Sequence, residues 1–303
     1  MKRVIVIAGA TATGKSDLAV ALAKELDAEI INADSMQLYK GMDIGTAKLS
    51  MAERGGVPHH LLDTLSVRED STVAAYQENA RSTITEIHSR GKDAVIVGGT
   101  GLYIKAILDD LNFPDTNPDV RKALEDEAQE FGSARLFERL EQLDPAAALA
   151  IDRANTRRVI RALEVIEITG KPFTANLPRE DSVHYPEALQ FGLVMDREKL
   201  GERIETRVEK MWAKGIVEET DRLIELGLRE GVTAKKALGY AQILAMRDGE
   251  LSELEAKEDT KRATRQYARR QETWFSRDAR IQWISPLQSH LETVLLKINS
   301  ISQ

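Results

Sequence analysis

Gly9-Ala10-Thr11-Ala12-Thr13-Gly14-Lys15-Ser16 is the stretch on which the reading of this sequence turns. It follows Val4-Ile5-Val6-Ile7-Ala8, a β-branched run of the kind that forms a buried strand. It precedes Asp17 to Leu26, whose apolar spacing is that of an amphipathic helix. Strand, GxxxxGKS and helix in that order is the context a phosphate-binding P-loop requires. Glycines let backbone N–H groups converge on phosphate oxygens, and the helix N-terminus adds partial positive charge. Lys15 would supply a mobile point charge and Ser16 a hydroxyl for Mg²⁺. The same pattern occurs in ATP-binding and other nucleotide-binding proteins. Alone it says only that a phosphate or diphosphate binds.

Working outward, 303 residues suit one large domain or a core with an insertion. An apolar content of 42% with 30% charged residues is that of a globular protein, and no apolar run is long enough to span a membrane. The sequence enters its first strand at once, so no signal peptide is expected. The absence of cysteine excludes disulfides, thiolate zinc sites and a Cys nucleophile, and accords with a cytoplasmic location. The net charge of −7 is unevenly spread: residues 109–150 hold 11 acidic and 4 basic side chains. Residues 261–280 hold 7 basic and 2 acidic. A basic stretch survives inside an acidic chain.

Ala28 to Ala33 reads as a second strand, ending at Asp34-Ser35. A carboxylate there lies where open α/β sheets place their ligands. Met36 to Lys48 is a polar, glycine-punctuated loop too long to be a mere connection. Pro58-His59-His60 has no evident third metal ligand, and adjacent histidines point apart, so a structural role is expected. Residues 72–89 are helical by periodicity. Ala94-Val95-Ile96-Val97 is a further buried strand, but it runs into Gly98-Gly99-Thr100 where a P-loop ATPase usually carries its Mg²⁺-holding aspartate. Asp196, after another apolar run, suits a helix N-cap better than that role. From Pro114 the composition breaks, and residues 120–143 are helical and acidic. Helices around Asp144 and from Asn155 follow, with prolines at 172, 178 and 186 closing the segment. Residues 115–188 therefore read as a helical insertion domain in a core made of 1–114 and 189–303. Arg157, Arg158 and Arg161 form a basic face, either a solvated surface or a polyanion contact. Residues 200–226 carry Arg203 and Arg207 one helical turn apart, and 235–242 reads as a turn. In residues 260–277, Lys261, Arg265 and Arg269 share one face while Tyr267, Arg270 and Trp274 share another. That pattern suits nucleic acid and an ordinary amphipathic helix equally.

Together the motifs resemble the bacterial tRNA dimethylallyltransferases, also called tRNA isopentenyltransferases. The matching stretches are GATATGKS at 9–16, NADSMQLYKGMDIGTAK at 32–48, PHHLLD at 58–63 and VGGTGLYIKAIL at 97–108. RRVIRALEVIEITGK at 157–171, KALGYAQ at 236–242 and the run at 264–275 continue the match in order. Ala10 departs from the proline of many bacterial members, and nothing here matches the zinc finger of the eukaryotic kind. The resemblance implies an α/β, P-loop NTPase-like parallel sheet core. It implies transfer of a dimethylallyl group from dimethylallyl diphosphate to N6 of adenine 37, in tRNAs reading codons that begin with U. The P-loop (Gly9, Ala10, Thr11, Ala12, Thr13, Gly14, Lys15, Ser16) would hold the diphosphate, with Mg²⁺ at Ser16. By the same resemblance Asp34, Thr13 and Arg207 are catalytic, with Asp34 as base. Asp34, Ser35, Met36, Gln37, Thr100, Arg121, Arg157, Arg158, Val159, Ile160 and Arg161 would contact the tRNA anticodon stem-loop. A monomer is expected. Three rivals share parts of the pattern: a prenyltransferase acting on free AMP, ADP or ATP, a small-molecule kinase, and a nucleotide-gated RNA-binding protein. The insertion and the basic C-terminal helix disfavour the first. The missing strand-end aspartate and the DSMQLYKG loop disfavour the second. The third would bind tRNA yet leave it unmodified.

Overall fold

The computed structural model describes residues 2–176, 182–285 and 289–301; the proline at 178 lies outside them. Among these, β1 (Val4–Gly9), β2 (Glu29–Asn32), β3 (His59–His60), β4 (Ala94–Val97), β5 (Leu189–Leu193) and β6 (Ile281–Ile284) form one sheet. Their order is β3-β2-β4-β1-β5-β6, and every pairing is parallel. Parallel strands are buried on both faces, which is why β1 and β4 read as unbroken β-branched runs. Side chains alternate. Val4, Val6, Ala8, Ile31 and Ile96 pack on one side against α2 (Val73–Ser89) and α3 (Gly101–Leu108). Ile5, Ile7, Ile30, Val95 and Phe191 pack on the other against α1 (Lys15–Glu25). Each of the Val, Ile and Phe side chains contributes about 1.5–3 kcal/mol by leaving water.

Contacts divide the chain into two units, residues 1–108 with 185–303, and Asp109–His184. The second unit starts before residue 115 and ends before 188. Asp109 bridges to Val183, and Asp110 N donates to Ser182 O (3.0 Å), so this pair of strand-like ends closes the unit. It contains α4 (Pro118–Phe131), α5 (Ser133–Leu143), α6 (Pro145–Ala150) and α7 (Thr156–Thr169). The continuous helix expected over 120–143 is broken at Gly132, whose φ of 86° ends α4. Leu124, Leu136, Phe137, Leu140, Val159 and Leu163 supply the core.

The rest of the first unit is helical: α8 (Arg197–Ala213), α9 (Ile216–Glu225), α10 (Tyr240–Arg247), α11 (Glu253–Phe275) and α12 (His290–Ile301). Asp196 caps α8, accepting from Glu198 N (3.0 Å) and Lys199 N (3.2 Å). The stretch expected to be helical over 200–226 breaks at Lys214-Gly215 into α8 and α9. The turn expected over 235–242 ends earlier, because Tyr240 already begins α10. The helix expected from Thr260 starts at Glu253, where Ser252 and Glu255 form a capping box.

Candidate active site

β1, β2 and β4 end side by side, and the loops leaving them build the site. After Gly9 the backbone takes positive φ at Ala12 (65°) and Gly14 (93°), making the concave turn that collects N–H donors for an anion. Gly14 tolerates that conformation without strain and starts α1 behind the turn. The Ala10 carbonyl accepts from Thr13 Oγ1 (2.8 Å) and from Lys15 Nζ (2.5 Å). Both bonds use backbone, so exchanging proline for alanine at position 10 removes neither acceptor.

Thr11 links the loop to two distant helices. Its N–H donates to Gln271 Oε1 (2.8 Å), and its hydroxyl accepts from Arg207 Nη1 (3.1 Å). Gln271, buried on α11, also donates from Nε2 to Gly99 O (2.8 Å). It therefore fastens the P-loop to the Gly98-Gly99-Thr100 loop after β4. Arg207 on α8 also reaches Thr46 O (3.3 Å).

Asp34 follows β2. Its N–H donates to Asn32 Oδ1 (2.9 Å), and among the described residues its carboxylate accepts one hydrogen bond, from Met36 N (3.0 Å). Ser35 N donates to Thr100 Oγ1 (3.1 Å), and Gln37 Nε2 to Thr46 O (3.0 Å). The Asp34 charge is felt across the site. Burial, then the neighbouring Arg207, lowers Lys15 from 10.5 to about 7, and Asp34 partly offsets this. Burial also lowers Arg207, again opposed by Asp34. Burial and the Asp34 charge push the Tyr267 phenol up to about 12. A cavity of about 870 Å³ opens onto the P-loop, lined by Lys15, Ser16, Lys48, Arg203, Arg207 and Lys210 among others. Asp34 does not line this cavity; it acts on the two cations that do.

Ser16 is half-buried at the start of α1, and its hydroxyl has no hydrogen-bond partner among the described residues. No group of three His, Cys, Asp or Glu among those residues could hold a metal. A lone hydroxyl beside a phosphate loop fits a hard cation that takes its other ligands from phosphate and water, which is the habit of Mg²⁺. His59 and His60 are structural. His59 Nδ1 meets Val57 O (2.8 Å), and His60 Nε2 meets Glu29 Oε2 (2.7 Å).

In the second unit the expected tRNA contacts separate into three kinds. Arg157 and Arg158 are exposed, and neither guanidinium has a partner among the described residues. Val159 and Ile160 are buried in the unit's core, so their side chains cannot meet RNA. Arg121 and Arg161 donate to the buried Glu164 (2.6 and 2.9 Å), and Arg161 also to Pro114 O (2.7 Å). Both have structural work. On α11 the basic face is likewise paired. Lys261 meets Glu209 (2.7 Å) and Glu258 (2.7 Å), and Arg265 meets Glu205 (3.1 Å), which leaves Arg269 exposed and Arg270 over the Tyr267 ring at 5.8 Å.

A P-loop at the centre of a parallel sheet, two half-buried cations beside it and a carboxylate just after β2, the next strand but one, make a site suited to a phosphate or diphosphate group. The sequence model of the IPP transferase family matches residues 37–278. The chain is 57% identical to a tRNA dimethylallyltransferase of Thermobifida fusca, over 94% of this chain and 90% of that one. It is 55% identical to the corresponding protein of Streptomyces griseus, over 93% and 90%. It is similar to the crystal structure of the full-length tRNA isopentenylpyrophosphate transferase of Bacillus halodurans (38% identity, TM-score 0.72, covering 100% of this chain and 96% of that one). A eukaryotic dimethylallyltransferase solved acting on tRNA is 29% identical with a TM-score of 0.77, over 91% of this chain and 70% of that one. The chain belongs to the family of tRNA dimethylallyltransferases, bacterial type.

Proposed function

We propose that this prenyltransferase moves a dimethylallyl group from dimethylallyl diphosphate to N6 of adenine 37, in tRNAs reading codons that begin with U. The observation that carries the reading is the convergence of Lys15, Arg207 and Asp34 at the ends of β1 and β2, with no carboxylate at the end of β4. Cations gathered at a P-loop suit a leaving diphosphate. In the step, the N6 lone pair forms a bond to the allylic carbon while the carbon–oxygen bond breaks toward diphosphate. Lys15, Arg207 and the N–H donors of residues 9–16 stabilise the charge that grows on the departing oxygens. An exocyclic amine conjugated with a purine is a weak nucleophile, so its proton must be taken up. Asp34 is the base, a role worth about 10²–10⁴-fold. Thr13 and Ser16 complete the diphosphate cradle, and Mg²⁺ bound at Ser16 would neutralise further phosphate charge. Adenine has to leave the anticodon-loop stack to reach Asp34. Ser35, Met36, Gln37 and Thr100 line its approach.

The test is mass spectrometry of nucleosides from unmodified tRNA incubated with the protein, Mg²⁺ and dimethylallyl diphosphate. An adenosine heavier by one dimethylallyl group at position 37 is expected. Asp34→Ala should keep tRNA binding and lose most turnover, and near-normal turnover would remove Asp34 as the base. Prenylated AMP with unmodified tRNA would overturn the tRNA assignment.

A further inference from the structure

Glu219 on α9 is buried, and among the described residues no Lys or Arg pairs with it. A buried carboxylate without a cation is costly unless hydrogen bonds hold it. Here it accepts from Ile44 N at both oxygens (3.0 Å each), from Asp43 N (3.3 Å) and from Gly45 N (3.4 Å). It also accepts from the Tyr240 hydroxyl (2.6 Å), whose oxygen in turn accepts from Gly45 N (3.1 Å). The fit around Gly45 is close, since a Cβ there would lie 2.4 Å from the Tyr240 ring. The DIGTAK and KALGYAQ stretches, far apart in sequence, thus meet at one carboxylate.

One residue beyond Gly45, the Thr46 carbonyl accepts from Arg207 Nη2 (3.3 Å) and Gln37 Nε2 (3.0 Å). The clamped turn therefore ends on the acceptor that orients the guanidinium over the P-loop. Thr46 is itself held, its hydroxyl donating to Met42 O (2.6 Å). Apolar packing could bury α9 against this loop as well. What the carboxylate adds is a fixed direction for three successive N–H groups and for the carbonyl after them.

We propose that Glu219, with Tyr240, is a positioning residue for Arg207, acting through the peptides of residues 43–46. This rests on the reading of Arg207 as a diphosphate ligand. The experiment is a double-mutant cycle on the full chain, with binding of inorganic diphosphate measured by calorimetry. Glu219→Gln should weaken binding about tenfold, and Tyr240→Phe, which keeps the ring against Gly45, should weaken it less. In an Arg207→Ala background both substitutions should cost under about twofold, because the group they orient is gone. A purely structural role would lower affinity equally in both backgrounds. Equal loss, or unchanged affinity in both single variants, overturns the proposal while leaving the enzyme reading intact. If Glu219→Gln does not fold, Tyr240→Phe completes the cycle by itself. Failure of the unmutated protein to bind diphosphate would overturn the functional reading first and the clamp with it.

Discussion

Lys15 carries the sharpest consequence at the scale of single residues. Burial and then Arg207 disfavour its charged form and lower the amine from 10.5 to about 7. A bound diphosphate favours that form and drives the pKa back up. Between these two values binding must take up a proton. Calorimetry above pH 7, in buffers of different ionisation enthalpy, should show proton uptake on diphosphate binding. Lys15→Arg, whose guanidinium does not titrate there, should lose that component. Equal uptake in both proteins would mean that the proton goes to another group. Ser16 is legible from the P-loop pattern alone, and Thr13 only through the family resemblance. Gln271 and Glu219 are not, since their partners lie 260 and 175 residues away, and no local spacing signals such a bond.

At the scale of elements, α4 and α7 are joined by one ionised group. Glu164 is fully buried and accepts from Arg121, Arg161 and Asn117 N (2.6, 2.9 and 3.1 Å). Burial pushes its pKa up, but these donors outweigh it, and the carboxyl titrates below its ordinary range. A depressed carboxylate stabilises the fold above its unfolded-state pKa and loses that contribution as pH falls through the folded one. Glu164→Gln should therefore cost about 1–3 kcal/mol at pH 7 by stranding donors. In thermal unfolding the gap between the two proteins should narrow toward pH 3. A gap independent of pH would assign the effect to packing. β1, β2, β4 and β5 are readable in sequence because buried parallel strands are continuous apolar runs. β3 and β6, at the two edges of the sheet, are short and only partly buried and carry no such run. Helix limits are less readable. Gly132 breaks what its apolar periodicity joins, and Tyr240 starts a helix inside a motif whose glycine reads as a turn. The basic face of α11 is visible as a pattern, but its pairing with Glu205 and Glu209 of α8 is a matter of tertiary packing.

For the molecule as a whole, the net charge of −7 conceals how differently placed its cations are. In the second unit the Arg157 and Arg158 side chains are exposed and have no partner among the described residues, while Arg121 and Arg161 are held by Glu164. Binding of an anticodon stem-loop should fall with Arg157→Ala and Arg158→Ala, each reducing the salt dependence by about one charge. Diphosphate affinity should stay unchanged. Gel-shift titrations at several salt concentrations, beside calorimetry with diphosphate, check both halves. Weakened diphosphate binding with normal RNA binding would contradict the assignment. Arg161→Ala should act differently, through loss of stability.

β1, the first strand made, finds its two neighbours in β4 and β5, and residues 109–184 are synthesised between them. During translation the second unit is complete before the central strand has its full set of partners. The P-loop waits longer still, for Gln271 of α11 to tie Thr11 to Gly99. A nascent chain halted before α11 therefore carries the whole P-loop motif without the tether that fastens it to Gly99, and the loop gains that bond only once Gln271 has left the ribosome.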